Sequence, residues 1–435
     1  MSVSIHTSGF RCFPGFTTFK LWPLTFFVGE NSSGKSTALA LIRAAWDICY
    51  RMREPSFNEA PFFFGSFDNI ASASSIPATS FSIGATIRQA DGTEVATTAV
   101  FSNKRGRPAV ASFTISSNSN SVTAHFQGDP VIEIASQGRH LTMRDQLFLQ
   151  HIGFEGFGVG HLITMALFRL EHDAEYLKEV SRQNSIPSDI VLTMYRSIQS
   201  TLAISTSDWS PERPRAMSPI RPPPARTYEP TSDVQSPDNT HTPLTIRQMQ
   251  SASIARKRTG LSLQQFGQSS GLFDSLFVRQ FGHDSDSDPF QIMLKLSGQQ
   301  GSRNLVDVGY GVNQVLPVAV DIVQKTRATT LIQQPEVHLH PRAQAALGTL
   351  LASHARPEQH IVVETHSDFL IDRVSVEIRR KTIDHNNVGL VFFDSIGSSG
   401  TKVHSLGYKS DGQLRSPPES YREFFIKEQT DFLTT

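Results

Sequence analysis

The sequence predicts an α/β fold: a mainly parallel sheet flanked by helices, joined by an antiparallel β lobe and an inserted helical, proline-rich lobe. Three observations predict it. Residues 29–37, Gly29-Glu30-Asn31-Ser32-Ser33-Gly34-Lys35-Ser36-Thr37, fit the phosphate-loop pattern of two glycines with four residues between them, followed by Lys and Ser. After residue 305, three buried-type runs, Thr330-Leu331-Ile332, Ile361-Val362-Val363 and Leu390-Val391-Phe392-Phe393, alternate with helical patterns, as a doubly covered parallel sheet requires. Between about 80 and 135 the pattern changes to short alternating runs such as Phe81-Ser82-Ile83 and Phe113-Thr114-Ile115, punctuated by Gly, Asn and Asp, which is antiparallel meander chemistry.

The elements follow in order. Leu24-Thr25-Phe26-Phe27-Val28 reads as the strand feeding the phosphate loop, and Leu39, Ile42 and Trp46 mark one apolar face of the helix leaving it. Glycines there let backbone N–H groups turn inward around a polyphosphate, and the helix N-terminus adds a favourable dipole. Lys35 then suits the β- and γ-phosphates, and Ser36 suits magnesium. Phe62-Phe63-Phe64-Gly65-Ser66-Phe67, entered through Pro61, reads as a hydrophobic plug rather than a partner-binding patch. Residues 141–205 turn helical, and Ser210 to Pro243 is crowded with proline, including Pro222-Pro223-Pro224, which denies a ladder or helix its donors. Met217, Ile220 and Tyr228 give that stretch something to bury, so it reads as a surface-running connection. A short helical piece and strands near Phe290-Gln291-Ile292-Met293-Leu294 complete the middle. The phosphate loop and the late strands share one sheet only if the middle is an insertion. The expected division is therefore a discontinuous core at 1–72 and 261–435, a β lobe at 73–140 and an inserted lobe at 141–260.

Composition narrows the function classes. The 435 residues hold 40 Lys+Arg and 40 Asp+Glu, so any DNA binding comes from a local surface, not a global basic field. Cys12 and Cys49 are the only cysteines, which excludes a disulfide framework and a cysteine-based zinc module. With neither a basic, apolar leader nor a run of ~20 apolar residues, the expectation is a cytoplasmic protein without a membrane segment.

Three later segments carry chemistry. Val306-Asp307-Val308-Gly309-Tyr310-Gly311-Val312-Asn313-Gln314 opens a helix with glycines, as an anion site or a plain tight turn. Leu331-Ile332-Gln333-Gln334-Pro335-Glu336-Val337-His338-Leu339-His340-Pro341 and Val363-Glu364-Thr365-His366-Ser367-Asp368 each start as a buried strand and end polar, where a parallel sheet presents its ligand edge. His338, His340 and His366 admit a metal-site reading, though no carboxylate or cysteine set completes it. Asp284-Ser285-Asp286-Ser287-Asp288 lacks the glycine and distal Glu of a calcium loop and reads as a solvated turn. Arg221 and Arg226 either touch phosphate or tie the proline-rich segment to its neighbours.

Taken together these residues resemble the ABC-type ATPases of the RecF, SMC and OLD group, most closely the stand-alone bacterial ATPases whose second half carries Glu-Gln-Pro-Glu-x-His-Leu-His-Pro. The opening Gly9-Phe10-Arg11-Cys12-Phe13, the element Pro219-Ile220-Arg221 and the tail Gly412 to Phe425 share the resemblance; residues 50–205 scarcely do. The resemblance implies an ABC-type ATPase core binding ATP and Mg2+, with the nucleotide held by Gly29, Asn31, Ser32, Ser33, Gly34, Lys35, Ser36 and Thr37. It implies that Gly309, Gly311 and Asn313 form a signature loop reaching the γ-phosphate held by a second subunit, in a homodimer or higher even oligomer. It assigns catalysis to Gln333, Gln334, Glu336 and the switch histidine His366, magnesium to Ser36 and Gln333, and the dimer-facing loop to His338-Leu339-His340.

One departure stands out. Gln333 occupies the place of the family's magnesium-ordering acid, and Gln334 that of the catalytic Glu of many ABC ATPases. An amide orients water but neither neutralises magnesium nor takes a proton, and loss of a general base costs about 10²–10⁴ in rate. Either Glu336 or Glu364 substitutes, or hydrolysis is slow, or ATP is trapped. By analogy the resemblance implies anti-phage defence, with a separately encoded nuclease or other effector as partner and DNA as a further one. A non-hydrolysing ATP-bound scaffold and a RecF-like DNA-repair ATPase are the alternatives. Nuclease chemistry within the chain itself is not expected, since OLD nucleases carry a separate Toprim domain.

Overall fold

The computed structural model describes residues 2–72, 79–118, 120–127, 131–144, 159–205, 212–229, 242–249, 254–282, 288–324 and 328–421. The chain divides into two compact units: Met1–Leu21, Glu30–Pro214 and Phe393–His404 form the first, and Trp22–Gly29, Arg215–Phe392 and Ser405–Thr435 the second. The opening strands, within residues 2–21, belong to the antiparallel sheet. The segment Ser285 to Ser287 and the end of the tail lie outside the described residues, as does much of the proline-rich stretch.

In the first unit, β1 (Ser2–Ser8), β2 (Thr17–Leu21), β6 (Ser80–Arg88), β7 (Glu94–Lys104), β8 (Arg107–Ser117), β9 (Asn120–His125), β10 (Val131–Ser136) and β11 (Arg139–Arg144) make one eight-stranded sheet, ordered β11-β10-β9-β8-β7-β6-β1-β2. β1 pairs antiparallel with both β2 and β6, with Ile5 opposite Phe19 and Ala85. Alternation decides the buried face: Phe81, Ile83, Ala85 and Ile87 point in from β6, as do Val95, Thr97, Ala99 and Phe101 from β7. Val100 pairs with Ser112 and Phe101 with Val110, so Ala111 is an extra residue that bulges β8 against β7. At the outer edge the Asn184 side chain substitutes for a strand: its Oδ1 accepts from Thr142 N at 2.7 Å and its Nδ2 donates to Thr142 O at 2.7 Å. This occupies backbone groups that an exposed edge would offer to another chain.

α1 (Lys35–Arg51) packs on β1, β6 and β7. The expected single apolar face is exceeded, since residues 37–49 are all buried. Its polar members are paired accordingly: Asp47 accepts from Arg53 and Arg213, and Arg43 bonds Ala60 O and Glu59. Nearby lie β4 (Asn58–Glu59), β5 (Phe62–Phe63) and α2 (Phe67–Ile70). Phe62 and Phe67 plug the interior as expected, whereas Phe63 is exposed. α3 (Val159–His172), α4 (Ala174–Asn184) and α5 (Ser188–Ser205) follow, and α5 crosses the sheet from β7 to β10.

The second unit is built on β3 (Leu24–Gly29), β16 (Ala328–Gln333) and β17 (Ile361–Glu364), which run parallel with β17 between the other two. β12 (Glu212–Met217) flanks β16, while β18 (Val388–Ser395) and then β19 (Thr401–Gly407) lie beyond β3. β17 is buried at every residue, and β3 up to Val28, as a sheet covered on both faces demands. The cover includes α6 (Thr242–Met249), α7 (Ile254–Ser270), α8 (Tyr310–Val323), α9 (Pro341–His354) and α10 (Asp368–Arg379), whose Leu263, Val315, Leu316, Leu347, Leu351 and Leu370 share one core with Phe26, Ile332 and Val363. A small antiparallel sheet, β13 (Ser275–Gln280), β14 (Phe290–Lys295) and β15 (Arg303–Asn304), completes the unit. α8 forms despite Pro317, which deprives the Asn313 carbonyl of its intrahelical donor. No helix among the described residues is long and apolar enough to cross a membrane.

Candidate nucleotide-binding site

The phosphate loop begins on Gly29, the last residue of β3, and ends where α1 starts. Gly34 is the N-cap of α1, with φ 101° and no side-chain cap hydrogen bond, and a helix N-terminus of this kind suits an anion. Only glycine fits there: a Cβ would stand 2.4 Å from Cys12 Sγ and 3.1 Å from Phe13 Cζ. The loop is braced from elsewhere in the first unit, because Thr401 Oγ1 donates to Ser33 O at 2.9 Å while Thr401 N donates to Cys12 O at 2.9 Å. Within the loop, Lys35 Nζ donates to Glu30 O at 2.7 Å and Ser33 N to the same carbonyl at 3.3 Å. Asn31, Ser32 and Ser36 are exposed, whereas Ser33, Lys35 and Thr37 are buried, and the Ser33 hydroxyl has no hydrogen-bond partner among the described residues. Cys12 and Cys49 are free thiols, and complete burial pushes Cys49 up to about 12.

The second unit gathers the polar strand ends at one sheet edge. Parallel register sets Gln333 beside Glu364 and Glu364 beside Phe27, two residues before Gly29. β3 therefore ends at the same edge at which β16 and β17 turn polar. Gln334, with φ 41°, donates its N–H to Glu364 O at 2.8 Å, and Thr365 N donates to Phe27 O at 3.1 Å. Gln333 Nε2 lies 3.5 Å from Glu364 Oε2, the outer limit of a hydrogen bond. Glu336 is buried and accepts from His366 N through Oε1 at 2.7 Å; its Oε2 has no hydrogen-bond partner among the described residues. Burial raises the Glu336 pKa above the usual carboxylate range, opposed by the His366 N–H.

Arg221 resolves one of the sequence alternatives. Buried to 2% exposure, it donates Nη1 to Gln314 O at 3.1 Å and Nη2 to Gln333 O at 3.2 Å, so it ties the proline-rich segment to its neighbours. Its backbone exchanges two further bonds with the Gln314 side chain. Burial pulls its pKa down to about 10. Arg226 instead forms an exposed pair with Asp307.

Gly309, Gly311 and Asn313 open α8. A Cβ on Gly311 would meet His338 O at 2.6 Å, and the Tyr310 ring meets the His338 ring edge-on at 4.8 Å. Tyr310 and His338 are exposed, while the Asn313 Oδ1 is buried without a partner. His340 serves as the N-cap of α9, its Nδ1 accepting from Arg342 N. Among the described residues no group of three or more His, Cys, Asp or Glu side chains is arranged to hold a metal ion. Thr401, Cys12 and Phe13 carried no signal as loop-bracing residues, whereas Arg221 was flagged by its motif.

Residues 195–372 match the family described as "AAA domain, putative AbiEii toxin, Type IV TA system". The match spans less than half of the chain and supports an AAA-type ATPase domain there. No curated protein matches the sequence. Among solved structures, the SMC head domain from Thermotoga maritima aligns at 12% identity and a TM-score of 0.39, covering 93% of this chain and 98% of that one. An Smc head domain bound to the C-terminal domain of ScpA, derived from Pyrococcus furiosus, aligns at 12% and 0.39 over 98% of each chain. Likenesses this shallow leave function to the site itself.

Proposed function

We propose that the chain is an ATP-binding, ATP-hydrolysing switch of the ABC type. The observation that carries this reading is the phosphate loop itself: a buried strand, a left-handed Gly34 and a 17-residue helix that starts at Lys35. Phosphate is the ligand such a terminus suits, and Lys35 adds the positive charge for the β- and γ-phosphates. Ser36 offers a hydroxyl oxygen, the donor chemistry magnesium accepts, so the loop fits the ion. Bound Mg2+ neutralises charge on the phosphates. The AAA-type match over 195–372 agrees with a nucleotide-driven role.

The switch works through a second copy of the chain. Gly309, Gly311 and Asn313 present the start of α8 beside exposed Tyr310 and His338, a surface suited to the γ-phosphate of a partner. His366, exposed and with its N–H held by Glu336, is the group that senses that phosphate. Loss of the γ-phosphate then releases the two copies, and a separately encoded effector, a nuclease in the reading we favour, responds. The toxin named in the matched family's description is in keeping with a defence role.

A Lys35→Ala variant tests the reading. ATP affinity, measured by calorimetry with magnesium, falls by at least about 100-fold, the effect of removing a desolvated charge worth roughly 3 kcal/mol. Unchanged affinity refutes ATP binding at this loop. The buried amide of Gln333 favours the second reading, a scaffold that retains ATP unhydrolysed. Phosphate release above background from the parent protein rejects it.

A further inference from the structure

We propose that Thr401, the first residue of β19, is a positioning residue for the phosphate loop and fixes which way the Ser33–Gly34 peptide faces. The inference rests on the ATP-binding reading and deepens it. All of the groups involved lie in the first unit. The Thr401 hydroxyl donates to Ser33 O at 2.9 Å, and both residues are buried, at 8% and 0% exposure. In a planar trans peptide the C=O and the N–H point to opposite sides. The Ser33–Gly34 bond is trans, so a carbonyl held toward Thr401 turns the Gly34 N–H away from Thr401. A phosphate loop holds its anion through inward-turned backbone N–H groups. Were this peptide to flip, it would present a carbonyl oxygen to the phosphate in place of a donor.

The brace is built into the packing around it. Thr401 N donates to Cys12 O at 2.9 Å, and the Thr401 side chain also pairs with the Cys12 thiol. Gly400 has φ 93°, and a Cβ there would meet Pro14 Cδ at 2.6 Å and Cys12 O at 2.8 Å, so the backbone ahead of Thr401 lies directly against residues 12–14. Those residues abut the loop in turn, since a Cβ on Gly34 would run into Cys12 Sγ and Phe13 Cζ. Three backbone segments, 400–401, 12–14 and 33–34, are therefore layered, and the Thr401 hydroxyl joins the outermost to the loop. On its other side Ser33 is tied from within the loop, its N–H donating to Glu30 O at 3.3 Å. Both peptides flanking Ser33 are thus held, one by the loop and one by β19.

The test uses the full chain and reads ATP affinity by calorimetry with magnesium, beside stability in denaturant, in the parent, T401V, T401A, T401S and T349V. T401V and T401A both remove the hydroxyl, the first keeping a branched side chain. One buried hydrogen bond biases the peptide between its two orientations by about 10-fold, so ATP affinity falls by about that factor in each. T401S keeps the hydroxyl and binds ATP as the parent does. T349V, on α9 in the second unit, breaks a comparable bond from Thr349 Oγ1 to Glu377 Oε1 at 2.9 Å and loses stability with ATP affinity unchanged. The inference is overturned if T401V or T401A folds and binds ATP as the parent does, if T401S loses as much affinity as they do, or if T349V does. Failure of both T401V and T401A to fold overturns it as well, because the hydroxyl then serves the fold and not the loop. In all of these cases ATP binding by the parent stands. A parent that binds no ATP overturns the ATP reading and this inference with it.

Discussion

Replacing Gly34 with alanine probes the loop most directly. The backbone there has φ 101°, and moving an L residue into left-handed conformation costs about 1–2 kcal/mol. The new Cβ would stand 2.4 Å from Cys12 Sγ and 3.1 Å from Phe13 Cζ, and overpacking of this kind costs about 1–3 kcal/mol. Together the expected loss is about 2–5 kcal/mol. The two parts separate in a double-mutant cycle, because Cys12→Ala removes the sulfur and leaves the dihedral strain. In the Gly34→Ala background, Cys12→Ala should recover about 1–3 kcal/mol, so the pair is strongly non-additive. Equilibrium denaturant unfolding measures the stability of all four proteins, and ATP titration follows the loop alongside. If Gly34→Ala changes stability by less than about 0.5 kcal/mol, or if the two substitutions simply add, the packing account of this glycine is wrong.

Two further outcomes follow from the buried charges. Asp47, 1% exposed between Arg53 and Arg213, anchors α1, so Asp47→Asn should cost about 3 kcal/mol in a denaturant titration and leave two arginines without their shared acid. Glu336 has a raised pKa, so its contribution is fully present below its ordinary value of 4.5 and is lost as pH rises through its folded value. Glu336→Gln should therefore gain stability relative to the parent as pH rises from about 4.5 toward neutrality; thermal melts across that range that keep a constant difference would count against a costly ionisation at 336.

Much of the architecture was legible because its signals are local. The phosphate-loop pattern, the apolar run before it, the helix after it and the buried runs of β16 and β17 each depend on spacing within a few residues. The α/β class followed from these, as did the meander of β6 to β11. Local signals also placed Gln333, Gln334, Glu336 and His366 at polar strand ends, since a covered parallel strand turns polar only where it leaves the core.

Tertiary structure decided what touches what. β1 and β2 shortly precede the loop in sequence, yet β1 pairs with the remote β6 as well as with β2, because strand partners are chosen by complementary faces and not by nearness in sequence. The brace from Thr401 to Ser33 spans 368 positions, and no periodicity encodes it. Register set Glu364 next to Gln333; a one-residue slip would have sent that carboxylate to the opposite face. Residue types and their spacing announce which chemistry a chain carries, but distances between remote side chains are set only when the whole core packs, because that packing fixes every register at once.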